Sequence, residues 1–534
     1  MKKRFFFPLL LAFGAVEAQT TCGCHATITK DGNYRASQLK LQPGQTLCIQ
    51  AGQYSYLRFN DLLGAPGAPI RIVNCGGLVN VLSSSHAPGI QLMSCRHVVL
   101  TGSGDASLPY GFKLNNTGTT AGSVLNVTGR SSDVEIERCE VSNNNFAGIM
   151  VKQDPGCDSS FYRENFTMYN VNIHHNYVHD TGGEGLYIGN SFWNGGRTVT
   201  CGGVSRTAFP HELHGLQIHH NVIERTGCEG IQYGCSPGAS VHHNTVRGAG
   251  LSPFASFQNN GIQIGEGSSG ECHNNLVDDA PGGGIIAVGH SGDLKVYNNV
   301  VANIGNIGIF CDNRSNSLSG TVFALLNNTV VNCANEGIKL YNENTVNTVG
   351  NNVIAGVPAN KFILFAQGAT ATQFNNLRST RTDTLGFANP AAGDFRPTAA
   401  SALVNAGADV SGWGITTDYD DAPRPAAGSA PDVGAFEFQP GGVLRQAAES
   451  PARAPLTVEA YPSPTRDRVT FRLSEPCRVQ QVVVYRPDGQ VMARLTPNRT
   501  TQQVHFDART LKPGVYPYRA FTDRGSVAGR FVRQ

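Results

Sequence analysis

The middle of this chain repeats one short phrase: a His/Asn or Asn/Asn pair, then β-branched residues, then a glycine that opens an apolar alternation. In five copies the second residue of the pair lies nine positions before the glycine; these copies carry Asn176, Asn221, Asn275, Asn299 and Asn328. An earlier copy has Cys139 in the Asn position, and the copy at Asn244 is stretched by eight residues. A recurring phrase of this kind indicates a repeat architecture, in which each unit buries its apolar face by stacking on the next.

The length of the repeat predicts the kind of unit. Successive Asn residues from Asn176 to Asn352 are 45, 23, 31, 24, 29 and 24 positions apart, which leaves room for two or three strands with tight turns. No apolar run has helical spacing, and Val and Ile dominate where a leucine-rich repeat needs Leu. We therefore predict an all-β fold, a right-handed parallel β-helix from roughly residue 40 to residue 380. The Asn side chains should stack in register at one corner, because Asn bonds its own main chain and tolerates left-handed backbone.

The N-terminus predicts export. Met1–Arg4 is basic, Phe5–Val16 is almost wholly apolar, and Val16-Glu17-Ala18 fits a cleavage site, so residues 1–18 read as a secretory signal peptide. An exported chain with 14 cysteines permits disulfides. Cys157 and Cys201 lie in long insertions of successive coils, which makes them a plausible pair. Four more cysteines are candidates to staple an N-terminal cap: Cys22, Cys24, Cys48 and Cys75.

Charge argues against a nucleic-acid partner. The mature chain has a net charge near zero, and residues 455–534 carry 13 Lys/Arg against 6 Asp/Glu, a net charge of +7. The body, residues 19–454, must therefore have a net charge of about −7. An acidic body lacks the basic footprint that nucleic acids require. We expect a monomer.

Three segments outside the repeat resemble known exported proteins. Leu41–Tyr54 and Ala68–Ile72 resemble the opening of many secreted β-helix proteins, including polysaccharide lyases. Asp394–Pro397, Asn405-Ala406-Gly407 and Asp432–Glu437 resemble a segment that often closes bacterial β-helix proteins, so we interpret its carboxylates as structural. The resemblance extends to fold and export only: the residue motifs of pectin-cleaving hydrolases and the cation and calcium-ligand cluster of alginate or chondroitin lyases are not recognised.

The last 80 residues alternate like an antiparallel sandwich. Five motifs resemble the C-terminal sorting domain of the Bacteroidetes type IX secretion system: Tyr461-Pro462-Ser463-Pro464, Val482–Tyr485, Asp488-Gly489, Leu511–Tyr516 and Phe531-Val532-Arg533. Pro517 departs from the pattern, where that strand usually carries a free amide. The resemblance implies that the type IX machinery is a partner and that the protein is secreted or attached to the cell surface. The predicted domains are thus a β-helix with its caps at 19–438, a linker at 439–456 and a sorting domain at 457–534.

Ligands of a β-helix bind in a groove on its outside. Side chains that point outward from the glycine-initiated strands are therefore the candidates for a binding or catalytic site. The second residue after each glycine should point outward. That column includes Tyr187, Gln232 and Gln263, while Glu184 and Glu229 stand directly before their glycines.

Two long insertions point to the same coils. From the strand glycine to the next Asn, the coils at Gly148 and Gly185 take 28 and 36 residues, whereas later coils take 14 to 20. Long loops in compact folds are commonly functional. Their candidate residues are Lys152, Asp154, Arg163, Trp193, Arg197 and His211.

Three functions compete on these residues. A polysaccharide lyase that cleaves a uronic-acid glycan by β-elimination is favoured, since it needs a base and a cation that neutralises the sugar carboxylate. Its predicted catalytic residues are Lys152, Arg197, Tyr187, His211, Glu184 and Glu229, and its predicted substrate-binding residues are Trp193, Gln232, Gln263 and Arg163. Ca²⁺ is a possible cofactor, held by Asp154, Glu184 and Glu229. The alternatives are a non-catalytic surface glycan-binding protein or adhesin, and an inverting glycoside hydrolase that would use Glu184 and Glu229 as its carboxyl pair.

Overall fold

The structure is a computed structural model that describes residues 22–85, 87–118, 122–289, 291–312, 320–341, 346–425, 429–439, 457–486, 491–497, 499–522 and 525–534. The predicted signal peptide, residues 1–18, lies outside this part of the chain, as does the predicted linker apart from Gln439. The described residues fall in two compact units, divided between Arg445 and Gln446. Among them, no helix has the length and apolar character needed to cross a membrane.

The first unit is a parallel β-helix whose coils form three ladders of strands. The first ladder precedes each Asn corner and contains Ala26–Ile28, Thr46–Tyr54, Ile70–Ser83, Arg96–Thr101, Ser132–Glu137, Val171–His174, Gln217–His219, Ala239–His242, Gly270–His273, Leu294–Tyr297, Phe323–Leu326, Val346–Gly350 and Thr370–Phe374. The second ladder follows the corner. It contains the later parts of Thr46–Tyr54 and Ile70–Ser83, then Phe112–Asn116, Cys139–Asn144, Tyr177–Thr181, Val222–Thr226, Thr245–Arg247, Leu276–Ala280, Val300–Ile304, Thr329–Cys333, Val353–Ala355 and Leu377–Ser379.

The third ladder is the 12-stranded sheet that follows the glycines. It contains Gly32–Arg35, Leu57–Asn60, Ile90–Met93, Leu125–Thr128, Ile149–Val151, Leu186–Ile188, Ile231–Tyr233, Ile262–Ile264, Ile285–Val288, Ile309–Asp312, Ile338–Leu340 and Ile363–Phe365. Its pairings are parallel and in register, so that Tyr187, Gln232 and Gln263 stand in one row. The alternating apolar residues of all three ladders are buried and form one continuous core inside the coils. The predicted parallel β-helix is confirmed.

The Asn residues form the predicted ladder at one corner. Each side-chain carbonyl accepts hydrogen bonds from the main-chain and side-chain nitrogens of the preceding Asn, at 2.9–3.1 Å. The ladder continues one step beyond the prediction, because Asn376 accepts from both nitrogens of Asn352. The left-handed residue is the one before each ladder Asn, for example His175 at φ 53° and Asn298 at φ 51°. That corner position favours His or Asn, and the ladder Asn itself supplies the hydrogen bonds.

The predicted segments before and after the coil pack against it in different ways. Disulfides Cys22–Cys75 and Cys24–Cys48 join the first coils, next to the short helix Ala36–Leu39. The predicted closing segment instead lies along the side of the coil, where Phe395, Val433 and Phe436 pack on the outer side of the second ladder. The closing segment contains the antiparallel strands Phe387–Asn389 and Asp394–Pro397 and the 3₁₀ helices Pro390–Ala392 and Ser411–Trp413.

The carboxylates of the closing segment are structural, as predicted. Asp418 accepts hydrogen bonds from the main-chain nitrogens of Ala422 and Glu437. Arg424 and Glu437 form a buried ion pair at 3.2 Å, with both side chains 1% exposed. These groups tie the segment to itself.

The second unit is a six-stranded sheet around its own apolar core. Its strands are Val458–Tyr461, Arg468–Tyr485, Val491–Leu495, Arg499–Asp507, Gly514–Thr522 and Gly525–Arg533, and their pairings are antiparallel. Pro517 lies one residue before the stretch that pairs with Val484, so its missing amide is not needed on that side.

Candidate functional site

The two long insertions pack against each other beside the third ladder. A disulfide joins Cys157 to Cys201, which stands at the end of a hairpin made of Arg197–Cys201 and Val204–Ala208. Strand Thr167–Tyr169 of the first insertion pairs in parallel with Glu212–His214 of the second. The insertions therefore form one wall, which also contains the 3₁₀ helix Ser159–Phe161.

Lys152 links this wall to the row of outward side chains. Its ammonium lies 4.2 Å from the centre of the Tyr187 ring and 3.0 Å from the Asp154 carboxylate. Asp154 also pairs with Arg197 at 3.3 Å. Burial opposes the charge on Lys152, but Tyr187 and Asp154 outweigh burial, so the pKa of Lys152 is raised. Lys152 is thus a cation at neutral pH, and it does not have the lowered pKa that a general base requires.

Trp193 is part of the wall's own packing, and its predicted role in binding substrate stays a prediction. The Arg163 guanidinium lies over its ring at 4.4 Å, and its indole nitrogen donates to Glu212 at 3.0 Å. Gly267 lies against the ring so closely that a Cβ there would stand 2.3 Å from it. Arg163 also donates to the Trp193 carbonyl at 2.6 Å, so the pair braces the insertion.

His211 is also enclosed, which does not suit the predicted role of protonating a leaving group. The residue is 0% exposed, and its Nε2 accepts from the main-chain nitrogen of Gln153 at 3.2 Å. Its Nδ1 donates to the Glu212 carbonyl at 3.0 Å. Burial lowers the pKa of His211, so the ring is neutral and holds the two insertions together.

The row of polar side chains on the third ladder is connected by hydrogen bonds. The Tyr187 hydroxyl lies 2.9 Å from the Ser191 hydroxyl, and the Gln232 amide donates to Ser191 at 3.4 Å. One coil further on, Gln263 accepts from the Asn260 amide at 3.0 Å. Tyr187 and Gln263 are partly exposed in this row, whereas Gln232 is 4% exposed and lies beneath the surface.

Glu184 and Glu229 form a buried carboxyl pair at the start of two neighbouring third-ladder strands. The two residues are 1% and 0% exposed, and one carboxylate oxygen of each lies within 4.8 Å of the other and of Cys228 Sγ. In the described part of the chain, the Oε2 atoms of both residues have no hydrogen-bond partner. The prediction placed these side chains in an open groove, but they lie beneath the surface.

Burial changes the chemistry of this pair. It raises the pKa of Glu229 to about 8, with a further contribution from the nearby Glu184. Burial also raises the pKa of Glu184, while the Lys152 charge acts in the opposite direction. Two close carboxyl groups in an apolar setting do not both ionise readily, so the pair holds a proton at neutral pH.

A third loop, which the sequence prediction missed, lies against the carboxyl pair. Main-chain hydrogen bonds dock Gly250 and Ser252 on Cys228 and Gly227. Phe254 stacks on Phe146 at 6.1 Å, and the Asn260 amide reaches Glu229 at 3.5 Å. Its sequence signal was the eight extra residues between Asn244 and Gly261, which precede the glycine, whereas the predicted insertions follow it.

The predicted calcium ligands do not come together as one set. Asp154 is held by Lys152 and Arg197, while Glu184 and Glu229 face the Cys228 thiol, whose pKa burial raises to about 12. Ca²⁺ takes six to eight oxygens, and the two carboxyl groups supply only part of that shell. Calcium binding stays a prediction for a chelator experiment.

Comparison with protein-family models matches residues 79–269 and 252–377 to the right-handed β-helix region. The chain belongs to the right-handed β-helix family. Residues 459–534 match the secretion system C-terminal sorting domain, so this β-helix protein is exported by the type IX route to the cell surface or beyond. No curated protein matches the chain.

The β-helix protein is also similar to solved structures, at low identity. Pectate lyase Pel9A is 14% identical with a TM-score of 0.42, over 79% of this chain and 99% of that one. A GH136 lacto-N-biosidase from Eubacterium ramulus is 10% identical with a TM-score of 0.44, over 64% and 62%. An alginate lyase from Paenibacillus sp. is 16% identical with a TM-score of 0.35, over 66% and 99%.

Proposed function

We propose that this exported β-helix protein is a glycoside hydrolase that acts on a polysaccharide, with Glu184 and Glu229 as its catalytic carboxyl groups. The observation that carries the proposal is the buried pair itself. Unpartnered carboxyl oxygens beneath a surface cost stability, and strongly perturbed carboxyl groups cluster at functional sites. Glycoside hydrolysis is the reaction that uses two such groups, one protonated and one ionised.

The surroundings divide the two roles. Glu229, whose pKa is raised to about 8, is the proton donor to the glycosidic oxygen. Glu184 is nearer to the Lys152 charge, which favours its ionised form and makes it the nucleophile or base. One oxygen of each carboxyl group lies within 4.8 Å of the other. A close pair suits a retaining enzyme, whose carboxyl groups are about 5–5.5 Å apart, better than an inverting one, which needs about 6.5–9.5 Å. We therefore favour a retaining reaction over the inverting alternative from the sequence.

The neighbouring side chains suit a sugar. Tyr187 presents a partly exposed ring and hydroxyl on the third ladder, and Lys152 beside it adds a positive charge that would attract an acidic substituent. The carboxyl groups are buried, so the loop that carries Phe254 must move before a glycan reaches them. Phe254 and Phe257 are 58% and 71% exposed, and they offer apolar faces for sugar rings at that entrance.

The lyase that the sequence favoured is the second candidate. The contact between Lys152 and Tyr187 supports it, because a cation beside a phenol is suited to a uronic acid. Lys152 is unsuited to be the base, since its pKa is raised, so this reaction would have to use Tyr187. A non-catalytic glycan-binding role would not explain why two neighbouring carboxyl groups are buried with their Oε2 atoms unpartnered among the described residues.

One experiment separates the three functions. The purified chain is incubated with a panel of neutral and uronic-acid polysaccharides, and both new reducing ends and the ultraviolet absorbance of unsaturated sugars are followed. We expect reducing ends without unsaturated product, and an initial product that keeps the anomeric configuration. Unsaturated product would establish the lyase instead, and binding without cleavage of any polymer would establish a glycan-binding protein.

A further inference from the structure

Two columns of stacked rings run along the Asn corner, between the first and second ladders, whereas the carboxyl pair lies at the start of third-ladder strands. In the first column the rings are parallel and 4.6–5.0 Å apart: His174, His219, His242, His273 and Tyr297. In the second column the spacing is 4.9–5.0 Å: His175, His220 and His243. The coil repeat thus places three neighbouring His-His pairs along this corner, with His174 buried and His175 exposed in the first pair.

The paired rings face each other through the same nitrogen. The Nδ1 atoms are 2.8 Å apart in His174–His175, 2.9 Å in His219–His220 and 2.8 Å in His242–His243. Two nitrogens that bind one zinc ion tetrahedrally at about 2.0–2.1 Å each are about 3.3–3.4 Å apart. The two Nδ1 atoms of a pair, now at hydrogen-bond distance, would therefore separate by about 0.5 Å to bind one metal.

Carboxylates fix the ring orientation at the first pair. His174 Nε2 lies 3.1 Å from the Glu135 carboxylate, which holds the ring proton on Nε2 and leaves the Nδ1 lone pair directed at His175. A metal-binding histidine almost always has such a partner on its other nitrogen. The Glu137 carboxylate lies 3.9 Å from His174 Nδ1, in loose contact with Arg138 at 3.9 Å.

We propose that His174 and His175, together with Glu137, bind a divalent transition metal of the zinc type. The nearest nitrogen of His219 lies within 4.8 Å of both histidines, which leaves it in reach as a fourth ligand. Imidazole nitrogens with one carboxylate suit zinc and its neighbours in the first transition row, and they do not suit calcium. The site is independent of the proposed hydrolase activity.

Carboxylates beside the first pair also favour a bound cation there. Glu135 and Glu137 compensate the positive charge of a bound metal at the first pair, whereas the third pair has Asp421 at 3.1 Å from His243 Nε2.

The chain supplies its own conservative variants for a test. Later coils carry Asn274 and Asn298 at the left-handed position of His175, so His175→Asn keeps the corner. Tyr297 continues the first column, so His273→Tyr is a matched control that keeps the stack and removes an imidazole whose Nδ1 bonds the Asn274 side chain rather than a paired histidine. Glu137→Gln removes the carboxylate ligand.

Zn²⁺ is titrated into the full chain, without an affinity tag, in competition with a chromophoric chelator. We expect one site of micromolar affinity or tighter, weakened at least about 10-fold by His175→Asn and by Glu137→Gln. His273→Tyr should bind as the parent does, and circular dichroism should confirm that all variants are folded. Absence of micromolar binding, or unchanged affinity in folded His175→Asn, overturns the proposal.

Discussion

At the scale of single residues, the carboxyl group of Glu229 should make stability depend on pH. Its pKa is 4.5 in an ordinary setting and about 8 in the fold, so over that window the folded state keeps a proton that the unfolded chain has released. Stability should therefore fall as the pH rises from about 4.5 to about 8. Glu229→Gln lacks this titration, and its free energy of unfolding relative to the parent should increase over the same window.

Urea unfolding of both proteins across this range measures the effect. Parallel stability curves for the parent and Glu229→Gln would show that the carboxyl group is solvated and ordinary. The charge of Glu184 contributes to the raised pKa of Glu229, so Glu184→Gln should lower that pKa. The fall in stability should then end at a lower pH.

The site residues were harder to predict than the fold because sequence alone does not give depth. The two-residue alternation placed Tyr187, Gln232 and Gln263 in one row correctly. Glu184 and Glu229 stand in turns, where alternation does not apply, so their burial came from the loop near Phe254. Trp193 was predicted to bind substrate from its residue type alone. Arg163 and Gly267, which lie against its ring, are 30 and more residues away in sequence.

At the scale of structural elements, the Asn ladder should hold the coils together unequally along its length. Asn275 is fully buried, accepts two hydrogen bonds from Asn244 and donates to Val241 and Asn299. Asn275→Ala leaves these groups without partners, at about 1–3 kcal/mol each, so we expect a loss of at least about 3 kcal/mol in the free energy of unfolding.

Asn376→Ala is the matched comparison for the ladder. Asn376 is half-buried at the last step, so water can replace its bonds, and we expect less than half the loss. Chemical denaturation of the two variants measures both values. Equal losses would mean that the ladder's stabilisation does not depend on burial.

The Cys157–Cys201 disulfide should stabilise the wall rather than the coil. It joins two insertions outside the core, whereas Cys24–Cys48 joins the first strands. Cys157→Ser with Cys201→Ser should expose the Arg197–Ala208 hairpin to protease while leaving the melting temperature of the coil nearly unchanged. Cys24→Ser with Cys48→Ser should lower that melting temperature. Mass spectrometry of the protease fragments shows whether cleavage falls in the hairpin, and thermal unfolding gives the melting temperature of each variant. A large drop in the wall variant would contradict this division.

The repeat predicted these elements because every coil obeys the same local rule. Nine positions from Asn to glycine are enough for one strand and one turn, and the apolar alternation fixes which face is inside. The sequence did not reveal that His174 to Tyr297 form a stacked column, because that depends on the register between coils. The left-handed residue was assigned to the ladder Asn, but it is the residue before it.

At the scale of the whole molecule, the two units have separate tasks. The β-helix carries the proposed active site and the sorting domain directs export. Removal of residues 440–534 should leave the thermal stability and glycan cleavage of the β-helix unchanged, since its core is its own. The same truncation should keep the protein inside producing cells, as fractionation and immunoblotting would show. Normal export of the truncated chain would contradict this assignment.

The claim of glycoside hydrolysis by Glu184 and Glu229 is tested most directly by amide substitution within their own column. Glu336 occupies the equivalent place before Gly337, is 6% exposed, and has Lys339 and Lys361 beside it at 3.6 and 4.0 Å. Turnover of the cleaved glycan is measured for Glu184→Gln, Glu229→Gln and Glu336→Gln, with folding checked by circular dichroism. We predict that the first two each lose on the order of 10²-fold or more and that Glu336→Gln keeps parental turnover. Parental turnover in folded Glu184→Gln and Glu229→Gln would contradict the proposed function.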